Sequence, residues 1–277
     1  MPKPLEPLVL EPPLVSVITP VRRGHPDWLA EAYASLRDQV LPSGWAWEWL
    51  VQADGVDEDL PLPDQATEDP RVKAAYGIQG GPAIARNLAL ARSGGSLIAV
   101  LDADDLLTPG ALARSIEILT QRPEYGWTTS RALDLMPDGG LVNPTDFALT
   151  EPEEGFLPRG FLFDRWDGSY ELAVHPATLC IRRQWLMAVG GWMAMPHAED
   201  AGLLLAVEAL TPGYYFRTPG LHYRKHEGQI TRTLTADTRP ERLEILAERV
   251  RAIHNLLVAP VPKWKPGDRV GGSSGLY

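Results

Sequence analysis

The chain has 277 residues, 44% hydrophobic and 22% charged, ordinary values for a globular protein that buries a large core in one or two domains. A formal charge of −10 argues against general binding to nucleic acid or to an anionic membrane, while a cation and a few arginines can still admit a nucleotide. The single Cys180 excludes an internal disulfide and suits a reducing cytoplasm, and no leader-like or membrane-spanning stretch is read, so a soluble cytoplasmic protein without an integral membrane segment is expected.

In chain order, Met1 to Pro13 holds five prolines and reads as an extended lead-in. Val15 to Ile18 is a short buried strand stopped by Thr19-Pro20. Asp27 precedes a helical pattern through Trp28, Leu29, Ala32, Leu36 and Val40. Trp47 to Val51 is a second strand, ending at Gln52-Ala53-Asp54-Gly55. The acidic run Asp57 to Asp59, with Pro61 and Pro63, makes a loop. Val72 to Tyr76 is a third strand, followed by a glycine-rich turn and a helix over Ala83 to Arg92 that begins with Pro82. Leu97 to Leu101 is an apolar run that ends in Asp102, Asp104 and Asp105. Thr108-Pro109 looks like an N-cap and first helical residue, with Leu112, Ile116 and Leu119 on one face. Strands alternating with helices over short connections predict an α/β fold with a mostly parallel sheet.

The second half is less regular. Trp127 to Ala132, Thr178 to Ile181, Tyr214 to Phe216 and Leu221 to Tyr223 are strand-like. Met136 to Tyr170, rich in Pro, Gly and acids, reads as a long surface excursion of the kind that often carries function. Gln184 to Val189 is a short helix closed by Gly190-Gly191. A further helix starts near Glu199 and buries Leu203, Leu204 and Val207. Pro240 to Leu257 is an amphipathic helix that packs back on the domain or makes a homodimer contact, and the tail after Pro260 is loose. Of the nine tryptophans, most are expected in the core.

Three carboxylates packed into positions 102 to 105 at a strand end repel one another unless a cation offsets them. The carboxyl edge of an open α/β sheet is also where ligands sit. Alone, the segment has several readings. A calcium loop fails, because its sixth position is Leu107 rather than glycine. The nucleophile of an Asp-x-Asp phosphatase is closer, but Leu106 stands where that motif wants Thr or Val. A metal site for a nucleotide diphosphate fits, and so does a solvated acidic turn.

Taken together, the motifs resemble the inverting glycosyltransferases of family two, which have the GT-A fold, a Rossmann-like mixed sheet flanked by helices. The resemblance rests on Val15 to Pro20, on Ala53-Asp54-Gly55-Val56, and on Gly81 followed by Ala85-Arg86-Asn87. It continues with Asp102-Ala103-Asp104, Gly190-Gly191-Trp192, Glu199-Asp200 and Tyr223-Arg224-Lys225-His226, and covers roughly residues 14 to 232. It implies a nucleotide-sugar donor, UDP-sugar as first guess, held by Pro20, Val21, Arg22, Asp54, Gly81, Pro82, Arg86, Asn87, Asp102, Ala103, Asp104 and Arg224. Asp54 would meet the base, Asp102 the ribose, Asp104 with His226 a Mn²⁺ or Mg²⁺ ion, and Arg224 the diphosphate.

His175 would line the sugar pocket, and the region of Trp166, Tyr170 and Trp192 would stack on a hydroxyl-bearing acceptor, a sugar or a small aglycone. Asp200 is the expected general base, with Glu199 orienting substrate. The implied organisation is a lead-in (1–13), a catalytic domain (14–235, donor half 14–105, acceptor half 130–235) and a C-terminal helix with its tail (236–277). Arg22-Arg23, Ala53 and Gln79 depart from the family pattern and bear on the choice of base. The alternatives are a GT-A-shaped nucleotide-sugar-binding protein without catalysis and the Asp-x-Asp phosphatase.

Overall fold

The computed structural model describes residues 13–22, 25–56, 60–144, 151–166, 172–195, 197–229 and 240–258. Expectations for the lead-in, for Arg23, for Asp57 to Asp59, for Tyr170 and for the tail lie outside these residues. The first half runs β1 (Leu14–Val21), α1 (Pro26–Arg37), β2 (Ala46–Ala53), α2 (Asp64–Thr67), β3 (Val72–Ala75), α3 (Pro82–Arg92), β4 (Leu97–Val100), β5 (Leu106–Leu107) and α4 (Ala111–Gln121). The second runs β6 (Trp127–Leu135), β7 (Leu141–Val142), β8 (Gly155–Leu157), β9 (Cys180–Arg182), α5 (Arg183–Ala188), α6 (Glu199–Leu210), β10 (Gly213–Arg224) and α7 (Pro240–Val258). The strands form one sheet in the order β3-β2-β1-β4-β9-β6-β10-β5, with β7 beside β6 and β8 beside β10. Strands β1 to β4 are mutually parallel, β6 and β10 are parallel to each other, and β9 is antiparallel to both β4 and β6.

Strand parity sets the layers, because successive side chains point to opposite faces. Val15, Val17, Trp47, Trp49, Val51, Leu97 and Ala99 pack with Leu29, Leu36, Leu112 and Ile116 of α1 and α4. Ile18, Leu50, Ile98 and Val100 pack on the other face with residues of α3 and α6. Trp49 also satisfies its indole N–H in the core, donating to Thr19 Oγ1 at 2.7 Å. Helix α6 is buried nearly all round. Its Gly202 lies against Leu246 of α7, so close that a Cβ there would stand 2.6 Å from Leu246 Cδ2. Helix α7 therefore packs back on the domain, the first of the two placements read for it.

Two local readings change. Helix α4 starts at Ala111 rather than Pro109, because Gly110 takes the left-handed conformation (φ +75°) as N-cap and Thr108 is drawn away, its hydroxyl donating to Pro219 O at 2.6 Å. Gln39 at the end of α1 then accepts the Leu112 N–H at 3.2 Å, satisfying one donor of the α4 first turn. Tyr214 to Phe216 and Leu221 to Tyr223 are one strand, β10, whose register with β6 shifts between Phe216 and Leu221. A bulge of this kind interrupts the hydrophobic alternation and makes one strand look like two.

Candidate active site

Parity also aims the acids. Gln52 of β2 faces α3, where its Oε1 accepts from Arg92 at 2.9 Å. Asp54, two residues on, keeps that side: its Oδ1 accepts the backbone N–H groups of Gly80 and Gly81 at 2.7 and 2.8 Å, fixing the turn that opens α3. Its Oδ2 is enclosed without a hydrogen-bond partner among the described residues. Val100 faces α3 as well, and two residues beyond it Asp102 meets Arg86 of that helix.

Arg86 is the centre of the site. It is 3% exposed, and it donates through one terminal nitrogen to Asp102 Oδ1 and through the other to Glu199 Oε1, both at 2.8 Å. Asp102 follows β4 and Glu199 opens α6, so a single guanidinium ties the first half of the chain to the second. Asp102, Asp200 and Glu199 together hold the Arg86 pKa above its ordinary value despite burial. Burial and the neighbouring Asp200 raise the Glu199 carboxyl to about 7, with Arg86 pulling the other way. Asp200 is half-buried and has no hydrogen-bond partner among the described residues. Ala198, the N-cap before these two acids, has φ +63°, and among the described residues it is the one non-glycine residue with positive φ. Backbone strain of this sort collects at functional sites.

A second cluster adjoins the first. Asp104 Oδ2 and His226 Nε2 are 2.9 Å apart, and burial with the Asp102 charge raises the Asp104 pKa. Asp105 is buried, and its Oδ1 accepts the Arg224 backbone N–H at 2.9 Å. Burial and the charges of Asp104 and Asp102 push its carboxyl well above the usual range. Arg224 donates through Nε to Asp104 O at 2.8 Å and pairs with Glu31 of α1. Trp28 and His25 complete this side: the Trp28 ring lies 4.5 Å from His226 and stacks on His25 at 4.4 Å. Trp28 was read from sequence only as a position of a helix, and Glu31 was not singled out. Nothing in their local pattern marks them; only the fold brings β10 across to α1.

Several expected residues are engaged elsewhere. Asn87 exchanges two hydrogen bonds with the Trp192 backbone, at 2.8 and 3.0 Å. The Trp192 ring is 2% exposed within the core, where it has no open face for an acceptor. Gly191, at φ +72°, makes room for this clamp, since a Cβ there would fall 2.3 Å from Asn87 Oδ1. Val21 is fully buried and can offer a ligand only its backbone, whereas Arg22 is exposed. Pro20 in β1, Ala103 after β4, and Gly81 and Pro82 at the start of α3 are half-buried. His175 is 8% exposed, packs on Tyr223 at 4.7 Å, and is held by burial to a pKa of about 4.

For a metal, Asp104 and His226 present one oxygen and one nitrogen side by side, both partly exposed. No group of three or more His, Cys, Asp or Glu among the described residues stands close enough to hold an ion alone. This donor set fits a dication that takes its remaining ligands from phosphate oxygens and water, the usual arrangement for Mg²⁺.

Comparison with known proteins bears on the family and the fold. The sequence pattern of "Glycosyl transferase family 2" matches residues 16–187. A Bacillus subtilis protein named for teichuronic acid biosynthesis, the glycosyltransferase TuaG, is 33% identical over 115 residues, which are 40% of this chain and 43% of that one. The O-antigen biosynthesis protein RfbC of Myxococcus xanthus is 31% identical over 132 residues, 44% of this chain and 10% of that one. The chain thus spans less than half the length of these relatives. Among solved structures, S. aureus TarS 1-349 in complex with UDP-GlcNAc superposes with a TM-score of 0.66 at 18% identity, over 86% of this chain and 66% of that one. Its UDP complex gives 0.58 at 16% identity, over 87% and 72%. The fold is therefore GT-A. With more than half of the sequence matched, the chain belongs to glycosyl transferase family 2.

Proposed function

We propose that the chain is an inverting glycosyltransferase that moves a sugar from a nucleotide-sugar, a UDP-sugar as first choice, to a hydroxyl of an acceptor. The observation that carries the reading is the Asp102–Arg86–Glu199 bridge, which assembles the donor strand and the first turn of α6 into one charged centre. The TarS complexes with UDP-GlcNAc and UDP favour uridine as the base.

In this reading the diphosphate lies over the uncapped first turn of α3, whose backbone N–H groups favour an anion. Asp102 takes the ribose side. Glu199, occupied by Arg86, positions the start of α6. Asp200, which makes no hydrogen bond among the described residues, accepts the proton of the acceptor hydroxyl as that oxygen attacks the anomeric carbon. The bond from that carbon to the diphosphate oxygen breaks on the opposite face, so the configuration inverts. A Mn²⁺ or Mg²⁺ ion held by Asp104 and His226, when bound, would offset charge on the leaving diphosphate.

The test is calorimetry with UDP, GDP, TDP and CDP, with and without Mn²⁺, on the parent and on Asp200→Asn. Metal-dependent binding of one nucleoside diphosphate is expected in both proteins, with transfer lost only in Asp200→Asn. No nucleotide binding under any condition would remove the transferase reading. Transfer by Asp200→Asn at the parent rate would remove Asp200 as the base.

A further inference from the structure

A cavity of about 220 Å³ lies in the second half of the domain, outside the cluster described above. It is lined by Ser130, Arg131 and Ala132 of β6, Tyr215 of β10, and by Ala173, His175 and Glu151. Strand β9 pairs Cys180 with both Ala99 of β4 and Thr128 of β6. Both neighbours run antiparallel to β9, so Ser130 to Ala132 is level with Leu101 to Ala103 across the sheet. The β6 residues that line the cavity therefore stand level with the Asp-x-Asp segment, two strands away. His175 connects the two: it feels the charge of Asp102 and packs on Tyr223, three residues before His226.

The lining is polar yet electrically balanced. Arg131 and Glu151 pair in a bidentate fork, at 2.7 and 2.5 Å, and the Tyr215 hydroxyl donates to the same Glu151 oxygen at 2.7 Å. With its pKa near 4, His175 is a neutral imidazole at physiological pH. Hydroxyl, amide and carboxylate groups thus alternate with the small apolar surfaces of Ala132, Ala173 and Val174. A cavity of about 150 Å³ admits benzene, so this one has room for a six-membered ring with its substituents. An anionic ligand would bring a charge that the Arg131–Glu151 pair, already neutral, does not offset.

We propose that this cavity receives the acceptor, and that the accepted unit is a neutral sugar ring rather than an anionic group. The proposal rests on the glycosyltransferase reading above.

The test measures UDP release from UDP-glucose, UDP-galactose and UDP-GlcNAc with a panel of methyl hexosides, methyl glucuronide and p-nitrophenol. At least one neutral member should accelerate release tenfold or more in the parent. Ala173→Phe, which fills the cavity, should raise the acceptor KM at least tenfold while UDP affinity stays within twofold. Glu151→Gln, at the partly exposed rim, is the second variant should the first fail to fold. It leaves Arg131 unneutralised, and should raise KM for the neutral acceptor while shifting relative kcat/KM toward the glucuronide. Acceleration by the glucuronide or p-nitrophenol alone in the parent, none by any member, or an unchanged KM in the folded variants would overturn the proposal. Absence of any nucleoside diphosphate binding would strike the transferase reading instead. Saturation-transfer NMR with the methyl hexosides then judges the cavity by itself, with contact expected in the parent and lost in Ala173→Phe; equal contact in both removes the cavity as a sugar site.

Discussion

Arg86→Met tests whether one guanidinium holds the site together. Methionine keeps much of the stem volume and removes the charge, leaving Asp102 and Glu199 without their partner at 2.8 Å. Breaking one partner of a buried ion pair costs about 3–5 kcal/mol. The Asp102 side chain is 25% exposed and water can offset part of its loss, whereas the Glu199 side chain is 7% exposed and cannot be hydrated in place. The lower end, about 3 kcal/mol, is therefore expected at neutral pH.

The cost should grow with pH. In the parent, Glu199 ionises near 7 against Arg86; without Arg86 its folded pKa rises further, because burial and Asp200 still act on it. A carboxyl with a raised folded pKa contributes stability that is full below its unfolded value of 4.5 and lost as pH rises through the folded value. Parent and variant thus lose stability alike up to about pH 7, and the variant goes on losing it beyond, at about 1.4 kcal/mol per pH unit. Urea denaturation followed by tryptophan fluorescence at about pH 6 and about pH 8.5 measures both terms. Glu199→Gln in the Arg86→Met background should recover the pH-dependent part. A cost below about 1 kcal/mol, or one equal at both pH values, would refute the bridge as an energetic link.

Asp104→Ala should abolish the metal dependence of UDP binding in calorimetry, and undiminished dependence would take Asp104 out of the metal site. Gly191→Ala combines a left-handed backbone with the collision at Asn87 and should cost about 2 kcal/mol or more, against about 1 kcal/mol for Gly190→Ala, where φ is +78° and the space is open. Equal losses in denaturation would show that the Asn87 clamp contributes nothing. Glu208 of α6 is fully buried, accepts the N–H groups of Leu162 and Phe163 at 3.2 and 2.9 Å, and is pushed up to about 7 by burial. Its stabilising contribution is full below pH 4.5 and lost as pH rises through 7, roughly 3 kcal/mol in all. Glu208→Gln should therefore gain thermal midpoint relative to the parent as pH rises from 5 to 8; a difference that does not vary with pH would contradict the assignment.

The first half was legible because each strand is an apolar run that stops at a turn residue. Parity along those runs carries Asp54 and Asp102 to the α3 face with no further information. The pairing of Arg86 with Glu199 was not legible, since the two lie 113 positions apart and each is unremarkable in its own helix. Trp192 was misplaced for a related reason. The ring was expected to stack on an acceptor, and nothing local says that Asn87 grips the Trp192 backbone while the ring lies in the core. Glu31 and Trp28 were missed because their partners on β10 come from the far end of the domain. Thr108 was taken for an N-cap on residue type, although the flexibility of Gly110 and an acceptor at Pro219 decided otherwise.

Ala198 makes position 198 narrow in sequence space. At φ +63° a β-branched or bulky side chain is a genuine outlier, while glycine, asparagine and aspartate are the natural alternatives. Each trades something away. Glycine relieves the strain but loosens the phase at which α6 begins. Aspartate or asparagine sets a new polar group beside Glu199 and Asp200. A library at this one position would therefore report not on chemistry but on how finely the angle of entry into α6 must be held, and small residues should dominate its survivors.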